Sequence, residues 1–179
     1  MSRPFLEEMD ELIRARYSML YVVTWEEHRA RKLIYSIAQK QQKPLYEWSI
    51  TEGLRSMSKQ DNFSKAGTNP RQPMEILQKI LNSEGEGIYI LTDFYHYWED
   101  PQLVRKLRDL SRALKKTRKS IIIMAPHLKL PDDLEKSITI VDLPLPTYDD
   151  IKQLLTTKII KANTTYRIQL NDEEQDKII

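Results

Sequence analysis

Thr24-Trp25-Glu26-Glu27-His28 sits between a short apolar run and an amphipathic stretch of this 179-residue chain. In an open parallel sheet, the bend after a strand's carboxyl end is where ligands bind. A phosphate site there would need G-x-x-x-x-G-K-[ST]: glycines to curl backbone around phosphate, lysine for its charge and a hydroxyl for magnesium. The bend has no glycine, one bulky indole and two carboxylates, which already suit the positive end of a following helix. A triphosphate would meet like charge, and the dinucleotide pattern G-x-G-x-x-G fails for the same reason. The chain has four glycines in all, Gly53, Gly67, Gly85 and Gly87.

Asp93 ends another apolar run, in Leu91-Thr92-Asp93-Phe94. An acid there can hold magnesium in phosphoryl-transfer sites. With no partner lysine or hydroxyl, the reading as a strand-end residue capping the next turn is preferred. A phosphoacceptor role would also need a hydroxyl and a lysine after later strands, where Ala125-Pro126 and Leu143-Pro144 stand. His28, His96 and His127 occupy three separate turns, weak grounds for a metal; acid–base catalysis by Asp93 with a histidine is a remote third reading. No catalytic, cofactor-binding or metal-binding residue is assigned.

Two surface features remain. Residues 101–119 carry Arg105, Lys106, Arg108, Arg112, Lys115, Lys116, Arg118 and Lys119, with Asp109 the one acid among them. This is either a surface for a partner, nucleic acid included, or the solvated face of an amphipathic helix. Tyr95, Tyr97 and Trp98 cluster with His96, and Trp25 should emerge at the same edge. These aromatics are a binding rim or, as the preferred reading, a plug in the space a nucleotide would fill. The candidate partner surface is Arg105, Arg108, Arg112, Lys115, Trp25, Tyr97 and Trp98.

Apolar periodicity supplies the elements that position these residues. Helices are expected over residues 5–15 (Phe5, Met9, Leu12 and Ile13 inward), from a Thr24–Glu27 capping box to about Gln41, from Pro73 (Met74, Leu77, Ile80 and Leu81 inward), from Asp100-Pro101 to about Lys116, and from Thr147 (Ile151, Leu154, Leu155 and Ile159 inward). Strands are expected over 17–23, 44–50, 88–91, 120–125 and 137–142. Residues 55–72 read as a mobile loop. Alternation of strand and helix implies an α/β fold: a five-stranded parallel sheet with helices on both faces. Residues 1–162 form one domain, and 163–179 read as the start of a truncated helical segment.

Composition narrows the class. Apolar residues are 40% and charged residues 30%, a globular balance. Net charge is +2, from 28 basic and 26 acidic side chains, too even to imply nucleic acid by itself. Cysteine is absent, which removes thiolate chemistry and disulfides. The longest apolar runs, 19–23 and 121–125, are far short of the ~20 residues of a membrane span. The N-terminus lacks the apolar core of a secretory signal.

Several motifs resemble a known family. They are Glu11-Leu12-Ile13-Arg14-Ala15-Arg16-Tyr17, Val23-Thr24-Trp25-Glu26-Glu27, Trp48-Ser49-Ile50-Thr51-Glu52-Gly53-Leu54, Leu91-Thr92-Asp93-Phe94, Asp100-Pro101, Arg105-Lys106-Leu107-Arg108-Asp109-Leu110 and Asp142-Leu143-Pro144-Leu145-Pro146. Together they are similar to the N-terminal region of an AAA-type ATPase of cyanobacteria and algal plastids. The resemblance implies a degenerate AAA/P-loop-NTPase-like domain without a Walker A loop. It implies ATP and magnesium only in a separate C-terminal AAA module, and a setting in cyanobacterial cytoplasm or plastid stroma linked to photosynthetic physiology. The expected function is a non-catalytic regulatory or assembly domain, with its own AAA module, other subunits or a client protein as partners. The alternative is a nucleic-acid-binding module using the basic helix 101–119.

Overall fold

The computed structural model describes residues 4–57 and 71–162. They fall into two compact units that divide between Leu143 and Pro144.

In the first unit, α1 (Phe5–Arg14) leads into β1 (Met19–Val23), α2 (Glu27–Lys40) and β2 (Leu45–Ser49). A short antiparallel β3 (Gly53–Ser56) follows, then α3 (Pro73–Asn82), β4 (Gly87–Thr92), α4 (Pro101–Leu114), β5 (Lys119–Ala125) and β6 (Thr139–Asp142). The sheet order is β3-β2-β4-β5-β1-β6. Five strands are parallel, as expected. The sixth, β3, was not expected: it runs into the start of the expected loop 55–72 and pairs antiparallel with β2, Trp48 opposite Leu54. Gly53, at φ 70, takes the left-handed backbone that reverses the chain into it. The remainder of the expected mobile loop, and the helical segment expected over 163–179, lie outside the described residues.

Alternate side chains of the inner parallel strands β1, β4 and β5 enter opposite cores, so these strands read as continuous apolar runs. Leu20, Val22, Ile88, Ile90, Ile122 and Met124 face α1 and α2. Met19, Tyr21, Tyr89, Leu91, Ile121 and Ile123 face α3 and α4. In α3 the inward residues are Pro73, Ile76, Leu77 and Ile80, while Met74 and Leu81 lie at the surface. The α4 stripe Leu103, Val104, Leu107, Leu110 and Leu114 is buried as expected.

Charged residues inside this frame all have partners. The Asp10 carboxylate, almost fully buried, accepts from Arg14, from Lys40 Nζ at 2.9 Å and from Gln41 Nε2 at 2.8 Å, which ties α1 to α2. The Arg14 guanidinium, seconded by Lys40 and Gln41, holds this carboxyl well below the ordinary carboxylate range. Its unfolded counterpart titrates near pH 4, so the stabilisation is complete above that value and is lost as pH falls below it. Asp10→Asn is expected to lower the urea midpoint at pH 7 and to lose that difference progressively below about pH 4. A difference unchanged down to pH 2 would show that Asp10 acts by shape alone.

The second unit contains α5 (Tyr148–Ala162). A capping box opens it: Thr147 Oγ1 accepts from the Asp150 amide at 3.2 Å, and Asp150 accepts from the Thr147 amide at 2.8 Å. Of its expected inward residues, Leu154 is 52% exposed, and Ile151, Leu155 and Ile159 are half-buried.

Candidate functional site

The strand ends bring three turns together. The Thr24 amide donates to Ala125 O and the Asp93 amide to Met124 O, both at 2.9 Å. The turns after β1 and β4 therefore flank the carboxyl end of β5. The segment that leaves β5 is tied down between them: Tyr21 Oη donates to His127 O at 2.7 Å, and Trp98 Nε1 donates to Lys129 O at 2.6 Å. Burial pushes the Tyr21 phenol above its ordinary range, so it stays a neutral donor.

The expected Thr24–Glu27 capping box does not form. Thr24 Oγ1 accepts from the Glu26 amide at 2.9 Å, one residue short of the box, and α2 starts at Glu27 without a side-chain cap. Glu27 reaches forward to Arg31 at 2.7 Å, and Glu26 pairs with Arg29 at 3.0 Å. Both carboxylates thus sit at the amino end of α2, where a bound phosphate would need bare amides.

Trp25 is 75% exposed and, among the described residues, its one ring contact is with the edge of His127, centroids 4.9 Å apart. It does not plug a cavity. Tyr97 and Trp98 do pack inward: both rings lie against Phe94, at 5.5 and 5.8 Å, and Phe94 in turn lies 5.5 Å from Trp48. The expected aromatic rim is therefore two separate features, an exposed indole after β1 and a core-anchored cluster after β4.

Asp93 adopts a left-handed backbone, φ 55 and ψ 27, and its side chain makes no cap for the following 3-10 turn, contrary to expectation. No group of three or more metal-ligating side chains occurs among the described residues.

Arg105, Arg108, Arg112 and Lys115 lie along one face, although α4 ends at Leu114, shorter than the expected helix. Arg105 bridges to Asp109 at 3.0 Å and Arg108 to Asp133 at 2.9 Å; Arg112 and Lys115 are exposed. Lys119 leaves the stripe entirely. It begins β5, is buried, and donates from Nζ to Ile80 O at 2.9 Å and to Ser83 O, closing the carboxyl end of α3. Beside α4, Trp98, Pro101, Val104 and Pro131 floor a groove of about 340 Å³. No sequence signal joins Pro131 and Asp133 to a helix 25 residues away.

A mostly parallel sheet covered on both faces, with its strand-end turns side by side, defines an AAA/P-loop-like α/β fold. The replication initiator DnaA bound to AMPPCP and single-stranded DNA aligns with TM-score 0.55 at 14% identity, covering 97% of this chain and 53% of that one. A DNA replication initiation factor aligns with TM-score 0.52 at 11% identity, covering 96% and 52%. At such identities the likeness is one of fold alone. The chain belongs to the SpoVK-like AAA ATPase N-terminal domain family, whose model matches residues 5–143. The AAA domain-containing protein ycf46 of Trieres chinensis is 32% identical over 162 residues, 90% of this chain and 32% of that protein. Its counterpart in Guillardia theta is 34% identical over 152 residues, 84% and 29% respectively. The chain thus spans about a third of the length of these relatives. No helix among the described residues is long and apolar enough to cross a membrane.

Proposed function

We propose that this chain is a non-catalytic regulatory or assembly domain, which binds protein partners on behalf of an AAA-family ATPase. The observation that carries the reading is the turn after β1: Glu26 and Glu27, each paired with an arginine, occupy the amino end of α2 beside Trp25. The paired side chains occupy that amino end, and with no glycine in the turn no bare backbone cradle is left for a triphosphate. In this reading ATP and magnesium belong to a separate AAA module. The partners are that module, other subunits or a client protein. The reading includes a plastid stroma or cyanobacterial cytoplasm as the setting and a part in photosynthetic physiology; the ycf46 relatives support the plastid setting.

Isothermal titration of the chain with ATP and magnesium tests this. The expected result is no saturable heat; binding with a micromolar Kd would reject the reading. Nucleic acid is the less favoured partner, because Asp109 and Asp133 place negative charge within the basic stripe.

A further inference from the structure

We propose that the groove beside α4, together with the basic stripe that leads from it, docks an acidic amphipathic peptide segment of a partner protein. The inference rests on the protein-binding reading above and gives that partner its chemistry. The groove supplies an apolar floor of Trp98, Pro101, Val104 and Pro131, with Arg105 and Arg108 on its wall. The Trp98 indole is held in place through Nε1 to Lys129 O at 2.6 Å and through its ring against Phe94. An apolar floor held in this way can take one aliphatic or aromatic anchor.

The charges continue in register. Arg105, Arg108, Arg112 and Lys115 are spaced three, four and three residues apart, which puts them on one helix face over about 15 Å. The chain itself shows carboxylates binding there, Asp133 on Arg108 and Asp109 on Arg105. Those side chains are 64% and 50% exposed, and such surface pairs hold weakly, so an incoming carboxylate can exchange with them. Arg112 and Lys115 have no ion-pair partner among the described residues.

The same acids separate a peptide from a nucleic acid. A phosphodiester strand carries a charge at every nucleotide and cannot omit one beside Asp109 or Asp133. A peptide can place a carboxylate over Arg112 and Lys115 and a neutral residue elsewhere.

The test uses the 179-residue chain and a short fluorescein-labelled peptide with one Leu, followed by Glu at helical spacing, read by anisotropy. Binding should saturate. It should weaken at least about tenfold, roughly 1.4 kcal/mol, in R112E/K115E, and comparably when the peptide's Leu becomes Ser. The Trp98 indole N–H resonance should shift on binding, reporting groove occupancy. Circular dichroism of R112E/K115E should match the parent, since both positions are exposed. Absence of saturable binding, indifference to R112E/K115E, or an unmoved Trp98 resonance would each overturn the proposal. So would a single-stranded oligonucleotide of equal charge that binds as tightly with the same variant dependence; that outcome makes the stripe a nucleic-acid surface. None of these results bears on the ATP titration, which alone decides the underlying non-catalytic reading.

Discussion

Replacing Phe94 with alanine is expected to destabilise the chain by about 3–5 kcal/mol, the range for truncating a fully buried aromatic. Phe94 has no exposed surface and touches three rings, Trp48, Tyr97 and Trp98. Removing it opens a cavity beside Trp98 in the floor of the groove. Urea unfolding gives the stability, and Phe94→Leu should recover most of the loss, to within about 1.5 kcal/mol. The Trp98 indole N–H resonance should broaden in Phe94→Ala even where the fold persists. A loss below about 1 kcal/mol would mean that the surrounding rings collapse into the space and that the cluster is not the support described here.

Glu47→Ala should cost about 2–3 kcal/mol, below the 3–5 of a fully buried broken pair, because its arginines can turn to solvent. Glu47 is 3% exposed in the middle of β2, and it accepts from Arg31 at 2.5 Å, Arg55 at 3.4 Å and Thr92 Oγ1 at 3.3 Å. One carboxylate thereby ties α2, β3 and β4 to β2. Glu47→Met fills the space without the charge and should lie within about 1 kcal/mol of the parent, since a buried ion pair often merely balances its own desolvation. Urea midpoints of both variants decide the matter. If Met costs as much as Ala, the carboxylate itself is required.

Most of the frame was readable from the chain, for a physical reason. Strands buried on both faces must be apolar throughout, so Met19–Val23, Ile88–Leu91 and Ile121–Ala125 announce themselves. Asp100 caps α4 as its type and position require, through the amides of Gln102 and Leu103. β3 was not readable: four residues with one charge and one glycine carry no period, and pairing with β2 alone makes them a strand. Thr24 and Thr147 show the limit of a local motif. Both precede a carboxylate by three residues, yet only Thr147 closes the box. At Glu27 the arginine one turn onward competes for the side chain.

The site was readable in its absences more than its contacts. A missing glycine cradle is a statement about residue types, which the sequence contains completely. The groove is a statement about distance: Asp133 reaches Arg108 only because the segment after β5 folds back against α4. Glu47 and Lys119 did carry a usable signal, since a charge within an otherwise apolar buried strand demands a partner. The partners could not be named: Glu47 meets Arg31, Arg55 and Thr92 from neighbouring and distant elements alike, and Lys119 meets carbonyls at the end of α3.

The position of β1 governs when the native state can form. Its backbone is flanked by β5 on one side and β6 on the other, so neither neighbour exists until residues 119–125 and 139–142 have been made. During synthesis the earliest strand must wait for the latest, and its Met-Leu-Tyr-Val-Val segment stays unpaired while most of the domain is translated. Such long-range parallel pairing slows folding and leaves an aggregation-prone edge open meanwhile. A nascent chain halted before Thr139 should therefore be far more dependent on chaperones than the released product.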